Sequence, residues 1–254
     1  MIVLLAPSEG KQPAPEGSAP VDLEALAHPE LTERRTALVA KLERVSAGAP
    51  KRALAALGLS AGQAGELARN ADLLGAPAAP AAEVYAGVLY QHLALGTLGT
   101  AARRRADERL LVASALWGVV SLADRIPAYR LSIGATLPRI PNLARWWRPA
   151  LAKALPADAF VVDLRSAAYA AAWRPARGTV VEVKAFDESS GTRKPVSHMA
   201  KAVRGEVARL LAQERAAPET PEAVAALVER AGERVELTPP RRPGAPWSLD
   251  IVRG

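Results

Sequence analysis

Leu116-Trp-Gly-Val-Val-Ser-Leu-Ala-Asp-Arg-Ile-Pro-Ala-Tyr-Arg-Leu-Ser-Ile-Gly134 is the stretch on which the reading of this chain turns. It follows an apolar run, Leu110 to Ala115, of the length of a buried strand. The chain then turns at Gly118, passes a short polar segment and delivers Tyr129 and Arg130 into a second apolar alternation. Apolar neighbours on both sides are expected to fix Tyr129-Arg130 rigidly.

Outward from this stretch, Ile2–Ala6 and Phe160–Leu164 read as further buried strands. Thr179–Phe186 alternates and reads as a strand with one exposed face, while Arg234–Leu237 and Trp247–Val252 read as terminal strands. Between them lie helical patterns. Leu31, Leu38, Val39, Leu42 and Val45 recur at helical spacing, with Glu33, Arg34, Arg35, Lys41 and Arg44 largely on the other side. Shorter helices are expected around Arg52–Leu57 and Ala61–Leu74, and Gly75–Pro80 reads as an ordinary loop. A helix from Pro141 to about Leu155 carries Trp146 and Trp147; Pro195 to about Gln213 is the longest helix, and Glu222–Ala231 another. The elements alternate irregularly, without βαβ regularity and without a repeat, so the expected fold is α+β. Around a mixed central sheet, 254 residues can build one large domain or two small ones.

Composition narrows the chemistry. Half of the 254 residues are apolar, which suits a packed core, and no stretch approaches the length of a membrane span. Met1–Pro7 has no basic n-region and is read as a strand rather than a leader. The absence of cysteine excludes disulfides, Cys-ligated zinc and a thiol nucleophile, and fits a reducing cytoplasm. Thirty-three Lys and Arg against 26 Asp and Glu give a net charge of +7, which favours anionic partners. Heavy Ala, Arg and Pro usage matches a GC-rich coding bias, which raises the charge without a functional cause.

Pro7-Ser8-Glu9-Gly10-Lys11 follows the first strand, a natural position for a site. Gly10-Lys11 resembles a phosphate loop only in part. No glycine stands five positions upstream, and Gln12 replaces the hydroxyl residue that would ligate magnesium. Ser8-x-x-Lys11 also has the spacing of a lysine-activated serine, but Pro7 and Gly10 argue for a loop rather than the helical turn that chemistry needs. His28, His92 and His198 stand in unrelated contexts, so neither a metal site nor a cofactor is expected. Arg103-Arg104-Arg105 and Arg109 read first as a solvated helix face. Lys201-x-x-Arg204-Gly205 places two cations on adjacent turns of one helix face, where both can address one anion, and Gly205 permits close approach of another backbone or a ligand.

Taken in order, these motifs resemble the YaaA family of bacterial peroxide-stress proteins, in its longer Pro-Ser-Glu-Gly-Lys branch. The resemblance rests on Pro7–Lys11, Tyr85-x-Gly87, Leu116–Val119 through Asp124 to Tyr129-Arg130-Leu131 and Gly134, Trp147, Leu164-x-Ser166-x-x-Tyr169 and Lys201-x-x-Arg204-Gly205. It implies a single compact α+β domain over residues 1–254, a mixed central sheet with surrounding helices and a positively charged, basic cleft, and a part in limiting free iron and oxidative DNA damage. It also implies similarity to proteins that bind duplex DNA through a helix-hairpin-helix element. The nearest hairpin is Leu116–Val119, where Gly118 would let backbone amides approach a phosphate. Ser121-Leu122 stand where the family often has Arg-Pro, and Ala168 stands where it has a carboxylate.

Two functions follow. In the first, duplex DNA is held by the hairpin and the basic cleft. In the second, an enzyme or binder takes a phosphorylated or carboxylate-bearing metabolite. Lys11, Arg130, Lys201 and Arg204 would then bind the anion, with Ser8, Tyr129, Ser166 and Tyr169 as hydrogen-bonding or acid/base groups; Lys11, Tyr129, Arg130 and Tyr169 are the catalytic candidates. The geometry discriminates: cations converging in one concavity favour the metabolite, and cations along a ridge favour DNA.

Overall fold

The computed structural model of the chain describes residues 1–140, 142–189, 192–195 and 197–254. Pro141 and Val196, assigned above to the start of one helix and the apolar stripe of another, lie outside the described residues, as do the side chains of Pro195, Ser197 and His198.

In chain order, β1 (Ile2–Leu5) is followed by helices α1 (Thr32–Ser46), α2 (Pro50–Leu57) and α3 (Gly65–Asn70). Next come β2 (Ala78–Pro80), α4 (Ala81–Val84), α5 (Val88–Leu93) and α6 (Thr100–Arg109). Strand β3 (Leu110–Ser114) leads into the Leu116–Gly134 stretch, whose first part holds β4 (Gly118–Ser121) and β5 (Arg125–Pro127). Helix α7 (Leu143–Ala154), β6 (Val161–Leu164), α8 (Ala167–Ala170), β7 (Val180–Asp187) and β8 (Lys194–Pro195) lead to the long α9 (Ser197–Gln213). Helix α10 (Pro221–Arg230), β9 (Arg234–Thr238) and β10 (Trp247–Arg253) complete the order.

The main sheet runs β4-β3-β1-β6-β7-β10-β9, with β8 paired to β7. Its five inner strands are mutually parallel, and antiparallel β4 and β9 close the two edges. The fold is α+β with a mixed sheet, as expected, but its centre is more ordered than the irregular succession of elements suggested. Counted in chain order, the parallel strands stand 2-1-3-4-5, so the order reverses at β1, between β3 and β6. Burial explains the strand sequences: Val3, Leu4, Leu5, Val161, Val162 and Leu164 are essentially inaccessible because both sheet faces are covered. One continuous hydrophobic cluster joins these strands to α1, α7, α9 and α10.

Three local expectations are corrected. Gly75–Pro80 is not wholly loop: Ala78–Pro80 pairs antiparallel with Arg125–Pro127, a pairing whose partner lies too far along the chain for local sequence to show. Arg35 is not on the polar face of α1; it is fully buried, and its guanidinium donates to the carbonyls of Ala27, Trp117 and Val119. The residues from Leu116 to Val119 form a β-hairpin rather than a helical one, with Leu116 and Trp117 inaccessible to solvent. Gly118 is required there twice over: its φ is +76°, and a Cβ would stand 2.9 Å from the Trp147 ring.

The Arg-rich α6 also finds a structural use. Arg105 and Arg109 donate to the last carbonyls of α9 and the residues just after it, where unpaired C=O groups and the negative end of the helix dipole favour cations. Arg103 and Arg104 pair with Asp107 and Glu108 one turn on.

Candidate functional site

A cleft of about 530 Å³ opens at the carboxyl ends of β1 and β6. Its walls come from four separated segments: residues 6–12 after β1, residues 86–90 leading into α5, residues 130–132, and Ser166 and Tyr169 after β6, with Lys201 and Arg204 of α9 closing one side. Lys11, Arg130, Lys201 and Arg204 thus line one concavity, with Glu9 as the carboxylate among them.

The loop after β1 is held by its surroundings. The Tyr90 hydroxyl donates to the Ala6 carbonyl at 2.8 Å, and the Ala86 amide donates to Ser8 Oγ at 3.1 Å. Lys11 Nζ donates back to the carbonyls of Ser8 and Glu9 at 2.8 and 3.3 Å. The lysine lies over the faces of Tyr129 and Tyr85, 4.1 and 5.6 Å from the ring centres. Burial, reinforced by the Arg130 charge, pulls its pKa from 10.5 down to about 7.

Beneath it the Tyr129 hydroxyl bridges Tyr85 (2.9 Å) and Ser114 (2.7 Å). Burial pushes the hydroxyls of Tyr85, Tyr90, Tyr129 and Tyr169 above the ordinary phenol range, so all four stay protonated. Tyr129 is therefore the aromatic floor under Lys11 rather than part of the lining, whereas Tyr169 reaches the wall.

Arg130 is presented as the alternation suggested: Tyr129, Leu131 and Ile133 are buried while Arg130 turns to the cleft. The segment belongs to no strand, and its backbone is instead clamped by a buried side chain. Asn70 Oδ1 accepts from the Arg130 amide at 2.8 Å, and Asn70 Nδ2 donates to the Arg130 carbonyl at 2.7 Å. The Arg130 guanidinium meets the exposed Glu9 carboxylate at 3.0 Å. Sequence reasoning missed Asn70. An asparagine near a helix end carries no sign of a partner 60 residues away.

On α9, Arg204 is half-buried and its Nε donates to the Val183 carbonyl at 3.3 Å; Lys201, one turn earlier, is exposed. Gly205 meets the backbone of α5: a Cβ would stand 2.2 Å from the Leu89 carbonyl oxygen. This close crossing brings the lysine and arginine of α9 against the segment that carries Gly87 and Tyr90. After β6, Arg165 forms a buried pair with Asp163 at 2.7 Å and donates to the Trp173 carbonyl, fixing the turn that bears Ser166 and Tyr169.

Gly118 stands apart, buried against Trp147 and absent from the cleft lining. His92 pairs with Glu206 at 2.8 Å, and His28 lies elsewhere with its pKa lowered by burial. Among the described residues, no three His, Asp or Glu side chains gather as a metal site would require.

Fold and site define an α+β protein with a cation-lined cleft at the reversal point of its sheet. The chain belongs to the family described as Peroxide stress protein YaaA, whose sequence model matches residues 1–232. It is similar along nearly its whole length to UPF0246 proteins. That of Streptomyces coelicolor is 45% identical over 260 residues, covering 99% of this chain and 98% of the relative. That of Corynebacterium efficiens is 39% identical over 95% of this chain and 97% of the relative, and one from Cereibacter sphaeroides is 32% identical over 85% and 87%. No helix among the described residues is long and apolar enough to cross a membrane.

Proposed function

We propose that this member of the peroxide-stress family binds a small phosphorylated or carboxylate-bearing molecule in the cleft and acts on it in the cytoplasm. The observation that carries the reading is the position of the four cations. Lys11, Arg130, Lys201 and Arg204 line one concavity at the reversal point among the parallel strands of the mixed sheet. By analogy with open parallel sheets, loops leaving adjacent strands in opposite directions create a crevice where ligands bind. Arg130 and Arg204 offer planar, multiply donating groups suited to carboxylate or phosphate, and Ser8, Ser166 and Tyr169 add hydroxyl groups to the wall.

Duplex DNA is the second reading, supported by the net charge of +7. A DNA surface built on Gly118 and the Arg-rich helix has less support, because Gly118 is buried and Arg105 and Arg109 cap α9.

The test is a thermal-shift screen of phosphorylated and carboxylate metabolites with a duplex-DNA arm at several salt concentrations. A ligand held by the native state at 100 times its Kd stabilises it by about 2.7 kcal/mol. The proposal expects a metabolite to raise Tm in the wild type and not in Arg130→Ala. Stabilisation by DNA alone, steeply weakened by salt, would replace the metabolite with the duplex.

A further inference from the structure

We infer that the Lys11 side chain is an amine nucleophile, condensing with an aldehyde or ketone that also carries a phosphate or carboxylate. The inference rests on the anion-binding reading above and adds to it the reacting atom and the functional group it meets.

The first ground is what surrounds the nitrogen. Lys11 is 8% exposed, yet its hydrogen-bond acceptors are two neutral peptide carbonyls, those of Ser8 and Glu9. Among the described residues no carboxylate stands within ion-pair distance of it; the Glu9 carboxylate is turned to Arg130. Buried ammonium groups ordinarily require a paired charge. A neutral amine requires only what is present: its two N–H bonds satisfy the two carbonyls, and its lone pair stays free for an electrophile.

The second ground is the electrostatic field. Arg130 and Arg69 oppose protonation of the lysine, Glu66 and Glu9 favour it, and desolvation outweighs them all. Tyr85 and Tyr129 beneath it stay protonated, so neither supplies a phenolate charge; their ring faces favour the ammonium, a cation–π attraction smaller than the cost of desolvating it. Desolvation beside another cation is a recognised means of keeping a lysine nucleophilic at neutral pH.

The third ground is position. Lys11 is part of the cleft wall, beside Arg130, Lys201 and Arg204. A substrate anion held by those cations would bring an attached carbonyl to the amine and raise its effective concentration there.

In the condensation the amine nitrogen bonds to the carbonyl carbon while the C=O π pair moves to oxygen. One N–H proton transfers to that oxygen, giving a carbinolamine. The hydroxyl then departs with the second amine proton as water, leaving the imine; nothing is oxidised or reduced.

The test uses the whole protein and pyridoxal 5′-phosphate as the probe aldehyde, followed by borohydride. Borohydride adds hydride to the imine carbon, water supplies a proton to nitrogen, and the stable adduct is located by peptide mass spectrometry. The chain has seven lysines, at 11, 41, 51, 153, 184, 194 and 201. At substoichiometric probe, labelling is expected at Lys11 at least about tenfold above any other lysine, half-maximal near neutral pH, and absent from Lys11→Arg. Pyridoxal without the phosphate is expected to lose that preference. Should Lys11→Arg fail to fold, the site preference and pH profile of the wild type decide the matter alone.

Even labelling of exposed lysines, or an adduct at Lys201 with Lys11 unmodified, overturns the inference. If inorganic phosphate still raises Tm in that case, the anion cleft survives and only the covalent step falls. If phosphate neither raises Tm nor competes with the probe, the anion reading falls as well.

Discussion

Raising the pH from 7 to 9 is expected to stabilise the wild-type protein relative to its Lys11→Met variant, because the folded chain holds Lys11 in an environment that resists protonation. Its pKa falls from 10.5 in an exposed chain to about 7 in the fold. Below the folded value both states carry the proton, and the native state bears the full burden of a buried charge, about 5 kcal/mol. Above the unfolded value neither state is protonated and the burden vanishes. Between the two the unfolded state binds more protons, so stability rises with pH. With these two values, the gain from pH 7 to pH 9 is about 2 kcal/mol.

The assay is urea unfolding at pH 7, 8 and 9 for both proteins. Subtracting the two curves cancels other titrating groups as far as they are independent of Lys11. Methionine keeps the length of the side chain and its packing on Tyr129 and Tyr85 while removing the titration. A flat difference between the curves, or one that narrows in the opposite direction, would refute the desolvated-lysine argument.

Other consequences follow from single contacts. Asn70→Ala leaves the Arg130 amide and carbonyl without their partner, which should cost about 2–4 kcal/mol in denaturant unfolding and weaken anion binding along with it. Gly205→Ala drives a methyl group into the Leu89 carbonyl and should destabilise the α5–α9 crossing by about 2–3 kcal/mol, seen as a lower urea midpoint. Glu9→Gln removes the carboxylate that pairs with Arg130. Since exposed pairs contribute little, anion affinity measured by titration should rise only about two- to fivefold.

Much of the fold was legible because it rests on local pattern. The buried runs at Ile2–Leu5, Leu110–Ser114 and Val161–Leu164 are strands, and the helical periodicity after Pro195 becomes α9. The parallel order of the sheet was not legible. It depends on which strand each segment joins after long, unequal crossovers, and apolar runs of similar length do not specify neighbours. Arg35 and Asn70 were misread or passed over for a related reason: a polar residue bonded to a distant backbone looks in sequence like any surface residue. Tyr129-Arg130 was legible as a fixed pair from its flanking apolar positions, but the buried amide that fixes it was not.

Lys11, Arg130, Lys201 and Arg204, brought together from separate segments, are proposed to bind one anion in the cleft they line. The most direct test is a titration of inorganic pyrophosphate into the wild type, Arg130→Ala and Arg103→Glu, with Tm as the readout. Arg103 lies on α6, outside the cleft lining, and serves as a charge control. A saturable rise in Tm is expected for the wild type and Arg103→Glu, and little or none for Arg130→Ala. An equal rise in all three proteins, or a rise lost only in Arg103→Glu, would contradict the proposal.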